Sequence, residues 1–354
     1  MMYPRLDIDL AKLEENAKTI VDACRADGID RVFLVVKVLA GDVMTVRRLA
    51  GAGFSHLADS RIENLIRFRD IPLPKALMRL PMASEASRVV RDADLSLNSE
   101  IDTIRALGAA AVKQGKIHDV ILMFDVGDLR EGIWHESAYL PVVSATAGTA
   151  GIRLAGIGTN LTCYGGVIPD AVNLGALVDI AKTIERELGL KLPIVSGGNS
   201  SSVHLLGTHT IPSDINGLRI GEAVFFGRET AYGNPLPAMH RDAFTLYAKL
   251  VEAAVKPSFP QGKIGMNSFG EHPDIVDRGL MHRGILAIGR QDVEAANLTP
   301  IDARIRIIGA SSDHLIVDLR DTGHHVGDVL AFHVDYAGLL RLMTSRYVHK
   351  RHRH

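Results

Sequence analysis

The residues best suited to chemistry are a lysine closing an apolar run and a glycine–serine cluster far downstream. Lys37 ends Phe33-Leu34-Val35-Val36-Lys37, a run that predicts a buried strand over Val32–Lys37. An ammonium there is costly unless it is neutralised or paired. Condensation with an aldehyde cofactor as a Schiff base is one solution. A strand that simply ends, with the lysine reaching into water, is the other. In Ser196-Gly197-Gly198-Asn199-Ser200-Ser201-Ser202, glycines allow close backbone approach, and amides and hydroxyls can donate to an anion such as a phosphate. The plainer reading is a flexible turn with a serine helix cap. No Gly-Lys-Ser/Thr follows, so the segment is not a nucleotide P-loop.

Two arginines complete the set. Arg219, in Leu218-Arg219-Ile220-Gly221, sits among apolar residues and needs a partner if it faces inward. That partner is a structural counter-ion or the ring nitrogen of a cofactor. Arg130 lies in Asp128-Leu129-Arg130-Glu131-Gly132, where it can take a substrate carboxylate bidentately or pair with Asp128 or Glu131. No His-Glu-x-x-His, Cys-x-x-Cys or carboxylate-rich loop points to a metal.

These residues must be positioned by a scaffold. Eight β-like runs can be drawn: Val32–Lys37, Ser55–Asp59, Ala76–Leu80, Leu95–Asn98, Val120–Asp125, Leu154–Leu161, Pro193–Gly198 and Leu218–Phe226. Helical patterns largely separate them, as in Leu177 to Leu188 with Gly189 as a stop. Such alternation predicts a parallel (β/α)8 TIM barrel, whose chemistry sits at the C-terminal strand ends. Lys37, Arg130, Asn160, Ser196 to Ser202 and Arg219 all fall at or near that rim. Cys163 joins them in Asn160-Leu161-Thr162-Cys163-Tyr164-Gly165.

Past Gly233 the texture changes. Asn234-Pro-Leu-Pro marks a boundary, and strand-like runs with turn signals follow: Phe244–Val255, Gly284–Gly289, Arg304–Ile308, Leu315–Leu319 and Val329–Val334. The expected organisation is a barrel over residues 10–233 and a mainly antiparallel β domain over 234–354, joined by residues 1–9. His349 to His354 reads as a frayed basic tail.

Composition narrows the function classes. The 354 residues are 47% hydrophobic and 23% charged, the balance of a soluble globular chain. A net charge of −1 gives no global field to attract nucleic acid or an anionic membrane. No apolar run has the length of a membrane span and no apolar signal core opens the sequence. Two cysteines form no disulfide framework. The expectation is a cytoplasmic enzyme acting on a small molecule.

The rim residues resemble those of the fold-type III pyridoxal-phosphate enzymes, the alanine racemase-like family, and look nearest to its ornithine racemase branch. The segments that carry the likeness are Val35-Val36-Lys37, Asp125 to Gly132, Asn160 to Gly165 and Ile194 to Ser202. The resemblance implies an amino-acid racemase acting on ornithine or another basic amino acid. Alanine or broad-specificity racemisation, or decarboxylase, aldolase or dehydratase chemistry on the same scaffold, are alternatives. It implies that Lys37 holds the cofactor and moves protons. Asn160, Ser196, Gly198, Asn199, Ser200, Arg219, Gly221 and Tyr336 would surround the cofactor, Ser200 and Tyr336 at its phosphate. Arg130 would meet the substrate carboxylate. It also implies a homodimer, with active sites where the barrel meets the β domain. One departure stands out: the family's second base is a tyrosine in a Gly-Tyr-Ala-Asp segment, and the aligned stretch here is Gly289-Arg290-Gln291-Asp292. Arginine cannot be a base at neutral pH. Racemisation by two groups then needs another titratable side chain, and Cys163 and His314 are the leading candidates, ahead of Tyr164 and Asp313.

Overall fold

A computed structural model describes residues 2–354, and the chain divides into two units, residues 2–10 with Asp242–His354, and Ala11–Arg241. The break falls after Arg241 rather than after Gly233, because residues 234–240 are tied to the larger unit. The Leu236 amide donates to Gly227 O at 2.8 Å. The Asn16 side chain takes the His240 amide at 2.7 Å and donates to His240 O at 2.8 Å.

The larger unit is a closed parallel barrel. Its strands are Arg31–Val35, His56–Asp59, Lys75–Leu77, Leu95–Asn98, His118–Asp125, Ile152–Gly158, Ile194–Ser196 and Gly217–Ile220. The last pairs with the first, Arg219 opposite Phe33, and Leu95–Asn98 pairs with His118–Asp125 to close the ring. Phe33, Ala58, Ala76, Leu97, Ile121, Met123, Ala155 and Ile194 pack together as its core. Large and small side chains alternate there, as a filled barrel interior requires. Helix Val43–Ala50 is capped by Asp42, which accepts the Thr45 amide at 2.9 Å. Helix Ala171–Leu188 opens with an Asp170–Asn173 capping box and stops at left-handed Gly189, the stop the sequence marked.

The third and sixth runs overshoot their strands, which end at Leu77 and Gly158, and the first and eighth differ in kind. The first strand stops at Val35, and Lys37 opens a 3-10 turn, Lys37–Leu39. The eighth stops at Ile220, and Glu222–Phe226 is a short helix. Its Ala-Val-Phe-Phe composition is β-like, but the chain must turn at Gly221. There a Cβ would lie 2.6 Å from Val35 O, so only glycine lets the eighth strand leave the barrel so close to the first.

The smaller unit is a mainly antiparallel sheet in the order Leu298–Pro300, Val329–Val334, Phe244–Pro257, Leu280–Leu286, Leu315–Asp318, Arg306–Ala310. Strand Arg5–Asp9 adds to Phe244–Pro257. The C-terminus is not frayed: His349–Arg353 pairs in parallel with Arg5–Asp9. Its basic sequence lacks apolar alternation, yet Asp7 gives it a reason to dock. Asp7 is 2% exposed, takes Arg5 Nε at 2.7 Å and is held bidentately by Arg351. A helix, Tyr336–Thr344, follows the Val329–Val334 strand. Among the described residues no helix is long and apolar enough to cross a membrane.

The buried carboxylate of Asp7 ties both terminal strands together. Asp7→Asn is expected to cost about 3 kcal/mol, the scale for leaving a buried ionic partner uncompensated, reduced by what water recovers at partly exposed Arg351. Urea unfolding followed by circular dichroism measures it, and an unchanged midpoint contradicts it.

Candidate active site

Each rim residue is set by the strand or loop that carries it. Arg219 shares the face of Phe33 through their register and is 3% exposed. Its Nη1 donates to Ser196 Oγ, and its Nη2 to Thr159 O at 2.5 Å and Asn160 Oδ1 at 2.8 Å. These acceptors are neutral, and burial draws the guanidinium down to about 10, opposed by the charge of Glu131. It remains a cation at neutral pH. Asn160 continues the chain, its Nδ2 donating to Glu131 Oε1. Glu131 in turn grips Arg130 with both oxygens, Oε1 taking Nη2 at 2.5 Å. The Asn160 amide therefore has one orientation, nitrogen to Glu131 and oxygen to Arg219.

Lys37 does not stand in a buried strand end; it is exposed. Desolvation is thus not what singles it out, since the strand ends before it. Its company does that. Its charge lowers the pKa of both Asp59, at the end of the second strand, and Cys163, on the sixth loop.

Asp128 builds that sixth loop. It is 1% exposed and accepts the amides of Cys163 at 3.0 Å, Tyr164 at 2.9 Å and Val167 at 3.1 Å. Of the two acids considered for Arg130, Glu131 is the partner and Asp128 is the loop's anchor. Cys163 is exposed, with Asn199 Nδ2 donating to its Sγ at 3.3 Å. Surrounding chain still raises the thiol's pKa, and Arg130 and Lys37 only partly offset this. The expected easy thiolate is not what the site favours; Cys163 is a thiol at neutral pH.

The seventh loop fits an anion cradle. Ser200 is buried, and its Oγ accepts the amides of Gly221 at 3.3 Å and Ala223 at 3.2 Å. With both amides bonded to its lone pairs, its proton remains to donate. Gly198 has φ +111°, and a Cβ there would lie 2.6 Å from Ser202 Oγ, so glycine is required. Ser201 and Ser202 turn inward to the chain instead: Ser201 Oγ donates to Leu161 O at 3.4 Å and Ser202 Oγ to Gly197 O at 2.7 Å. Thr159 Oγ1 is buried without a hydrogen-bond partner.

The remaining sequence candidates lie in the smaller unit. His314 is exposed in the hairpin turn before strand Leu315–Asp318; its O takes the Ser311 amide at 2.9 Å. Arg290 and Gln291 pack on that turn, their amides donating to Ser311 O and Ser312 O. Arg290 pairs with Glu271 at 2.9 Å and Glu294 at 3.3 Å, over the Phe269 ring. Tyr336 is half-buried at the start of its helix.

Asp59 was not singled out from sequence as a functional group. It is fully buried, bonds the Arg61 amide at 2.8 Å and Asn64 Nδ2 at 3.1 Å, and burial still pushes its pKa up to about 6. An acid raised on folding holds a proton the unfolded chain has lost, so its contribution falls as pH rises from about 4 to about 6. Asp59→Asn removes that slope: wild-type stability minus variant stability should decline across this window and be flat above it. Unfolding titrations at stepped pH test this, and a difference that is constant or rises through the window contradicts it.

Residues 8–229 match the model of the alanine racemase N-terminal domain. The ornithine racemase of Acetoanaerobium sticklandii is 45% identical over 351 residues, 99% of either chain. The lysine racemase of Thermotoga maritima is 39% identical over 353 residues, 99% of this chain and 98% of that one. In fold, alanine racemase of Clostridium difficile 630 superposes with a TM-score of 0.75 at 16% identity, covering 100% of this chain and 96% of the other. A barrel with this rim, matched over more than half its length by one family model and along nearly all of it by two racemases, places the chain in the alanine racemase family.

Proposed function

We propose that this enzyme interconverts the enantiomers of a basic amino acid, ornithine or lysine, with pyridoxal phosphate as cofactor. The observation that carries this reading is the near-full-length likeness to racemases of ornithine and of lysine, at 45% and 39% identity.

The donor set fits a phosphate-bearing aldehyde with a pyridine ring. Lys37 is exposed just past the end of the first strand. Ser200 offers a buried hydroxyl whose lone pairs are already engaged by the Gly221 and Ala223 amides. Thr159 keeps a buried hydroxyl unmatched. Arg219 offers a buried cation whose acceptors Ser196 Oγ, Thr159 O and Asn160 Oδ1 are neutral. Pyridoxal phosphate supplies electron withdrawal that acidifies the substrate's α-carbon. Lys37 Nζ is the group that carries it and moves a proton on one face. Ser200, with Gly198 and Asn199 shaping its loop and Gly221 holding its hydroxyl, takes the phosphate. Arg219, charged despite its burial, keeps a facing ring nitrogen unprotonated. Arg130 takes the substrate carboxylate bidentately.

Return of the proton on the other face needs an acid. Cys163 fits that need: its raised pKa keeps Sγ protonated at neutral pH, and it sits in the charge field of Lys37. His314 is the alternative donor, and a homodimer, as the resemblance implies, belongs to the same proposal.

Lys37→Ala is expected to abolish α-proton exchange and the visible absorbance of bound cofactor; retained racemisation in that variant would falsify the assignment. Cys163→Ala is expected to slow racemisation by about two to four orders of magnitude, the range for a lost general acid–base group. Solvent deuterium should still exchange into one enantiomer. Full activity in Cys163→Ala, with the loss appearing in His314→Ala instead, transfers the role to His314.

A further inference from the structure

We infer that Glu131 selects for a basic side chain by pairing with the substrate's terminal ammonium once the substrate carboxylate takes or shares Arg130. This rests on the racemase reading and on Arg130 as the carboxylate receptor.

Arg130 is already occupied in this structure. Glu131 holds it with both carboxylate oxygens, at Nε and Nη2. A substrate carboxylate at Arg130 either displaces Glu131 from the Nε–Nη2 edge or binds the Nη1–Nη2 edge, where two carboxylates then divide one cation. Either way Glu131 loses an undivided partner, and it is not free to enter water. Its side chain is 14% exposed, and Asn160 Nδ2 holds Oε1 in place. It would be left partly buried, with the neutral Asn160 amide as its other bonded partner. A carboxylate stripped of its cation in such a place carries a desolvation penalty.

The substrate decides whether that penalty stands. Alanine brings a carboxylate for Arg130 and nothing for Glu131. Ornithine and lysine bring a carboxylate and a terminal ammonium on a flexible chain. The ammonium gives Glu131 a cation of its own, so each carboxylate at Arg130 is matched by one cation. Discrimination then comes from an unsatisfied group on the wrong substrate as well as from a contact with the right one. Other acids at the rim are already committed. Asp128 takes the amides of Cys163, Tyr164 and Val167. Asp125 takes those of Gly127 at 2.8 Å and Leu129 at 3.2 Å. Asp42 caps its helix. Asp292 accepts Ser345 Oγ at 2.5 Å and belongs to the smaller unit.

The test uses 5-aminopentanoate, which has ornithine's carboxylate and terminal ammonium but no α-amine and so cannot be racemised; the enzyme is first reduced with borohydride, so that this amine cannot condense with the cofactor. Pentanoate, lacking the ammonium, is its control. In the reduced enzyme without substitutions, calorimetry should show 5-aminopentanoate binding about tenfold or more tighter than pentanoate, the scale of one charge-assisted contact. Glu131→Gln keeps the shape and the Asn160 contact but removes the charge. It should erase that preference and lower the ornithine-to-alanine ratio of kcat/KM by a similar factor. Glu131→Asp should recover part of it. Circular dichroism confirms that each variant is folded. A preference for 5-aminopentanoate that survives in folded Glu131→Gln overturns the inference, and turnover of ornithine in that variant with its selectivity intact does the same. Absence of ornithine and lysine turnover in the unmodified enzyme overturns the racemase reading instead, whatever the binding series shows.

Discussion

The barrel mouth is organised by a buried cation with no carboxylate among its bonded acceptors. Arg219 gives its protons to Ser196 Oγ, Thr159 O and Asn160 Oδ1. The charge that balances it lies one residue further, on Glu131, beyond the Asn160 amide. A direct carboxylate would neutralise Arg219 and fill the space beside it. An amide in between transmits orientation while leaving the guanidinium's charge largely uncancelled. That arrangement requires the fifth loop, the sixth strand end, the seventh strand and the eighth to keep a fixed register, because each contributes one member. The barrel's closure, with Arg219 opposite Phe33, is the condition for the network to exist.

Rim loops face a different constraint: their backbone amides have no ladder to join. A recurring solution is a buried acid after a strand or short helix. Asp59 serves Arg61, Asp125 serves Gly127 and Leu129, and Asp128 reaches across to Cys163, Tyr164 and Val167. Glu229 holds the amides of Ala231 at 2.6 Å, Tyr232 at 2.9 Å and Asn234 at 2.6 Å. Each carboxyl group accepts the amides it orders. The loops that carry the chemistry are therefore fixed from below, while their exposed side chains remain available at the mouth.

Much of the scaffold was legible because periodicity is local. Alternating apolar runs and helical spacing located every barrel strand, and Gly189 marked a helix end that the structure retains. Errors came where a partner distant in sequence decides the outcome. Val36 and Lys37 continue an apolar run, but the strand stops at Val35. Ala-Val-Phe-Phe reads as strand, yet the approach to Val35 O at Gly221 forces a turn and a helix. His349–Arg353 has no strand signature of its own and is ordered by Asp7 at the other end of the chain. The same limit applied at the site. Residue types at strand ends marked Lys37, Arg130, Ser200 and Arg219, whereas nothing local distinguishes Asp128 as a loop anchor from Glu131 as an ion-pair partner. Both are acids flanking one arginine, and only the folded loop sends one to the sixth loop and the other to Arg130.

Cys163 shows how the two constraints meet. Arg130 and Lys37 lower its pKa, which alone would favour a thiolate. Asp128 and Glu131 oppose them, and burial outweighs the cations, so the net direction is upward. Each of those acids is present for another reason, Asp128 to hold the loop and Glu131 to hold the arginines. Desolvation is the main reason the thiol's pKa rises, and groups whose first task is structural add to it. A site that must take a proton from one face and return it to the other needs one group ready to accept and one ready to give. Here the readiness to give follows from how the loop is anchored, so a change that frees the sixth loop from Asp128 should alter the acid as well as its position.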